Sequence, residues 1–65
     1  MKVYVNNHNG VAIVSANSEY EAHGVLLAED DTMMHFFSVK DWELIPGLED
    51  TTKTPRVISY HVNSY

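Results

Sequence analysis

Apolar and polar residues alternate twice near the start of the chain. In residues 2–6, Val3 and Val5 fall on one face and Lys2 and Tyr4 on the other, and residues 11–15 alternate again. Between them lies Asn7-His8-Asn9-Gly10, and Asn-Gly is a dipeptide that tolerates positive φ. The two runs predict a β-hairpin. The period then changes from two to 3.6. Ala22, Val25 and Leu26 fall on one side of a helix spanning 19–28, with Tyr20 or Leu27 at its margin. Ser18, three residues before Glu21, forms a capping box. The hydroxyl can accept the Glu21 amide, and the carboxylate can reach back to the Ser18 amide. Gly24 lies mid-helix, where glycine is about 1 kcal/mol worse than alanine. It marks either a tolerant exposed site or a close approach to the sheet or a partner.

Residues 33–39 alternate once more. His35, Phe37 and Val39 oppose Met34, Phe36 and Ser38, which predicts a third strand with a phenylalanine on each face. Residues 41–45 read either as one short helical turn capped by Asp41 and ended by Pro46-Gly47, the preferred reading, or as a continuation of extended chain. Residues 47–55 read as a polar loop. Residues 56–62 form a last alternating strand, and Asn63, Ser64 and Tyr65 a fraying tail.

The expected fold is a single α+β domain over residues 1–65. It is a small antiparallel sheet of about four strands in ββαββ order, with one helix packed on one face. The third and fourth strands are expected to be antiparallel neighbours. One short helix covers such a sheet poorly. The other face is therefore expected to bare aromatics such as Tyr4, Phe36 or Phe37, and Tyr60, which suggests a homodimer or another partner.

Composition narrows the chemistry. A chain of 65 residues is marginally stable without help, and the absence of cysteine removes disulfides and thiolate metal sites. An apolar share of 45% argues for a folded core, no stretch reaches the length of a membrane span, and the first residues lack a signal-peptide core. The expectation is a soluble cytoplasmic protein with no membrane contact.

Charge is the stronger signal. Nine acidic and four basic residues give −5, and residues 3–39 contain no Lys or Arg while holding Glu19, Glu21, Glu29, Asp30 and Asp31. Direct nucleic-acid binding needs a basic stripe, and none is visible. A basic protein surface suits this distribution better. Glu29-Asp30-Asp31 sits where a helix C-terminus disfavours negative charge, so the run is either an acidic patch for an Arg/Lys-rich partner or an ordinary solvated loop just beyond the helix end, where the dipole is screened. These three, with Trp42 and Glu43 on the following turn, are the candidate partner-binding residues. Trp42 is the only tryptophan; it either anchors a partner or folds over the edge of the core.

His8, His23, His35 and His61 raise a metal site. No pair has the spacing that aligns two imidazoles on a helix. His35 and His61 could meet across paired strands, joined by Asp30 or Asp31, but four separate histidines are expected, with no metal and no cofactor. No serine lies in a nucleophile elbow, and the three glycines are isolated. An enzyme is not expected, and a small metal-dependent one stays the remote alternative. In general type, short, cysteine-free and acidic, the chain resembles accessory proteins of phages and mobile elements. Some of these block host nucleases by masking basic surfaces. The resemblance implies a non-enzymatic inhibitor of a nucleic-acid-handling machine; the alternative is a structural homo-oligomer that uses its bare sheet face.

Overall fold

A computed structural model describes residues 1–63, so Ser64 and Tyr65 of the expected tail lie outside the described residues. It holds four strands, β1 (Lys2–Asn6), β2 (Gly10–Ala16), β3 (Glu43–Glu49) and β4 (Arg56–Val62). One helix, α1 (Glu19–Glu29), follows the hairpin, and 3-10 turns span Asp31–His35 and Val39–Asp41. All strand pairs are antiparallel, in the order β3-β1-β2-β4. No helix among the described residues is long and apolar enough to cross a membrane.

The hairpin forms as its pattern predicts. Asn9 takes φ 64°, and β2 starts at Gly10, whose φ is 151°. A Cβ at Gly10 would lie 2.4 Å from the His61 carbonyl oxygen, so only glycine lets β4 come this close. Helix α1 begins at the expected cap, where the Ser18 hydroxyl accepts the Glu21 amide at 3.1 Å. The reciprocal half differs. The Glu21 carboxylate accepts from the Asn17 backbone and side-chain amides, at 2.8 and 3.0 Å, rather than from Ser18. Ala22 and Leu26 are fully buried, and Val25 is half-buried. Gly24 faces open space, so close approach to the sheet is not its role.

Three expectations fail together. Residues 33–39 are not a strand. The Asp30 carboxylate caps a 3-10 turn, and Phe37 N–H then bonds Met33 C=O at 3.0 Å. Met33 and Phe37, four residues apart, both point into the core. The third strand is instead Glu43–Glu49, the segment read as a turn and the start of a loop. Pro46 and Gly47 do not stop it because it is an edge strand, where a missing N–H is tolerated. Tyr4 pairs with Leu44 and Lys2 with Glu49, so residues 45–48 bulge opposite Val3, with Gly47 at φ 77°. Finally, β3 and β4 are not neighbours. Each adds to one free edge of the hairpin, which pairs both hairpin strands on both sides.

The core lies between the sheet and one covering layer. Tyr4, Ala12, Val14 and Ala16 from the hairpin meet Ala22 and Leu26 from α1 and Met33, Phe37 and Trp42 from the irregular segment. That segment covers the part of the sheet that α1 cannot reach. Tyr4 and Phe37 are therefore buried and Tyr60 is half-buried against the same core, not bared on the opposite face. Asn6 secures the segment. Its side chain is fully buried, donates to Ser38 C=O at 2.9 Å and accepts the His8 amide at 3.2 Å.

Because β3 and β4 sit on opposite edges, residues 50–55 must cross beneath the sheet. Asp50 ties this crossing down. Its amide donates to Met1 C=O at 2.8 Å, and its carboxylate accepts from the fully buried Ser15 hydroxyl and from Arg56 Nε at 2.9 Å. The Arg56 guanidinium and then the Ser15 hydroxyl hold the Asp50 carboxyl at about 2. The carboxylate in turn raises Arg56.

Candidate functional site

The end of α1 is where the local sequence rules conflict, and the structure shows how the conflict is managed. Asp30 ends the helix, its N–H bonding Leu26 C=O at 3.0 Å, and starts the next turn. Its carboxylate accepts the Thr32 amide at 3.1 Å and the Thr32 hydroxyl at 2.6 Å. A negative charge misplaced for one helix end is well placed for the start of the next. The Tyr60 hydroxyl of β4 also donates to it, at 3.4 Å. Chiefly the Thr32 hydrogen bonds hold Asp30 below the usual carboxylate range. Burial, helped by the charges of Asp30 and Glu29, pushes the Tyr60 phenol up.

Asp30 is therefore committed to structure, while Glu29 and Asp31 on either side of it are exposed. Along with Glu19 and Glu43, they have no cationic group within 4 Å among the described residues. Burial of any of these carboxylates against a neutral partner would be unfavourable, whereas a partner bearing Arg or Lys would supply the missing counter-charge.

Trp42 is 4% exposed, with its ring folded into the core. Its indole N–H donates to His23 Nδ1 at 3.0 Å, and the two rings meet edge-on at 79°. The acceptor nitrogen requires a neutral imidazole, and partial burial lowers His23 below its ordinary value. Trp42 thus offers no exposed aromatic surface beside Glu43, which stands at the start of β3 away from the helix end. The structure brings Glu29, Asp30 and Asp31 together but does not join them to Trp42 and Glu43.

The histidines are dispersed. His35 lies in a 3-10 turn, so it does not face His61 across paired strands. No three His, Asp or Glu side chains converge on a metal-sized space among the described residues. His8 Nδ1 lies 3.8 Å from Asp41 Oδ2 at the rim of an open depression lined also by Asn7, Lys40 and Glu43. A second depression adjoins it at His8, lined by Asn9, Met34, His35 and Phe36 among others. Sequence reasoning missed the Ser15–Asp50–Arg56 contact, since nothing local joins residues so far apart. The chain matches no family model, no curated protein and no solved structure.

Proposed function

We propose that this chain is a non-enzymatic acidic interaction module that docks the end of α1 onto a basic protein surface. The observation that carries the reading is the pair Glu29 and Asp31. Both are exposed and lack a counter-charge among the described residues, on either side of an Asp30 locked by Thr32 and Tyr60. A rigid anchor with free carboxylates beside it presents charge at low entropic cost. Residues 3–39, which hold α1 and its end, contain no Lys or Arg to compete for these acids. The large basic surfaces of nucleic-acid-handling machines are the class of partner this chemistry fits. Occupying one would displace the phosphate backbone and inhibit the machine.

The test is affinity capture from the native host with wild-type and Glu29→Lys/Asp31→Lys baits. Asp30 is left intact because its loss would disturb the turn as well as the charge. The reading expects a partner that the wild type retains at low salt, releases at high salt and that the double variant does not retain. Equal capture by both baits would refute it.

A further inference from the structure

We infer that Trp42 and the turn before it form a proton-operated latch: the neutral His23 imidazole holds the indole against α1, and protonation of His23 releases it while the rest of the fold stays in place. The indole N–H can only donate, so its bond to His23 Nδ1 exists only while that nitrogen keeps its lone pair. A charged imidazole carries N–H groups at both ring positions. It would set donor against donor at a buried indole and leave both unsatisfied. The bond also joins two separate elements. His23 lies in the middle of α1, whereas Trp42 stands between the turn Val39–Asp41 and the start of β3. β3 is an edge strand that pairs with β1 alone, across a bulge, so the corner held by Trp42 is lightly braced.

The surroundings of His23 do nothing to offset its proton. Of the elements packed against α1, β2 carries no titratable side chain. β4 brings Arg56, Tyr60 and His61, the turn Asp31–His35 brings Asp31 and His35, and the turn Val39–Asp41 brings Lys40 and Asp41, with Glu43 just beyond Trp42. On α1 itself Glu19 stands one turn before His23. No carboxylate lies within 4 Å of a His23 ring nitrogen among the described residues, so no ion pair forms there on protonation. Burial lowers the folded value from 6.5, so the latch is closed above about 6.5 and opens as pH falls below it. Other anchors hold in the same range. Asp30 and Asp50 are both kept below the usual carboxylate range and stay ionised where a histidine titrates. The buried Asn6 side chain keeps its bond to Ser38 C=O, which confines the movement to the residues just after it. His8 acts with the opposite sign. Its Nδ1 lies 3.8 Å from Asp41 Oδ2, and a protonated His8 attracts that carboxylate. The turn therefore stays docked on the hairpin while its indole leaves α1 and becomes exposed beside Glu43.

One proton sets the size of the effect. Between the ordinary and the lowered value, the open population rises by up to about tenfold per pH unit. Acrylamide quenching of Trp42, the only tryptophan, reads that population from about pH 7.5 to about pH 5, with far-ultraviolet circular dichroism recorded on the same samples. The wild type is compared with His8→Gln and His23→Gln; glutamine at position 23 offers the indole an acceptor that does not titrate. The expected result is quenching that rises as pH falls in the wild type and in His8→Gln, at unchanged dichroism, and that stays flat in His23→Gln. The indole N–H resonance of the wild type gives a second reading that needs no variant, and it should move in step with the His23 ring nitrogens. Flat quenching in the wild type, a transition that survives in His23→Gln or vanishes in His8→Gln, dichroism lost in step with the quenching, or an indole resonance indifferent to pH would overturn the inference. None of these outcomes bears on binding through Glu29 and Asp31.

Discussion

Replacing Ser15 with alanine should destabilise the protein far more than a serine on an exposed strand would. Ser15 is fully buried, and its hydroxyl donates to an ionised carboxylate that also holds Arg56. A hydrogen bond to a charged group contributes about 1.5–3 kcal/mol. In a domain this small each kcal/mol moves the melting temperature by about 4–8 °C, so a fall of roughly 10 °C is expected at neutral pH. The loss should depend on pH. Asp50 titrates at about 2 in the folded protein against 3.8 for an unperturbed aspartate. Its folded value is depressed, so its contribution is complete above about pH 4 and declines as pH falls towards 2. The gap between wild type and Ser15→Ala should therefore narrow across that window. Thermal unfolding followed by circular dichroism at pH 7 and at pH 2–3 reads both effects. A neutral-pH shift under 2 °C, or a gap that widens in acid, would refute the role given to Asp50 as the clasp on the crossing segment.

Glycine substitutions should move in opposite directions. Gly24→Ala adds a methyl into open space on α1 and should stabilise by roughly 0.5–1 kcal/mol, whereas Gly10→Ala drives a Cβ into the His61 carbonyl and should destabilise. Urea titration of both variants checks the contrast, and a stabilising Gly10→Ala would mean that the β2–β4 approach is misplaced. The lone tryptophan reports on His23. Because the folded value is lowered, stability from the neutral imidazole is present above about 6.5 and lost as pH falls below it, and Trp42 emission should change with that protonation. The same titration in His23→Gln should be flat; an unchanged transition would assign it to another group.

The hairpin and the start of α1 were legible because their signals are local. Asn9-Gly10 sets a backbone conformation, and Ser18 caps its own helix whatever surrounds it. Residues 33–39 misled because His35, Phe37 and Val39 alternate while Met33 and Phe37 also satisfy a helical i, i+4 spacing. The Asp30–Thr32 cap, set beside the helix end, decides for the second pattern. The segment 43–49 was hidden by Pro46-Gly47, which reads as a stop unless the strand is known to lie on an edge, and edge position is a tertiary fact. Strand order rests on which edge of the hairpin each later strand joins, and the Asp50–Ser15 contact that ties down the crossing spans 35 positions of sequence; no short pattern encodes either. Within the candidate site, the acidic run was visible in the sequence. The division of labour within it, with Asp30 bound to Thr32 and Tyr60 and its neighbours free, was not.

The central claim is that Glu29 and Asp31 form a docking surface for basic groups. Titrating the isotopically labelled protein with a short arginine-rich peptide and recording backbone amide shifts tests it most directly. The account predicts saturable shifts concentrated at residues 28–32, suppressed by added salt and abolished in Glu29→Lys/Asp31→Lys. Shifts of the same size spread over Glu19, Glu43 and the remaining acids, or a double variant that responds like the wild type, would contradict it.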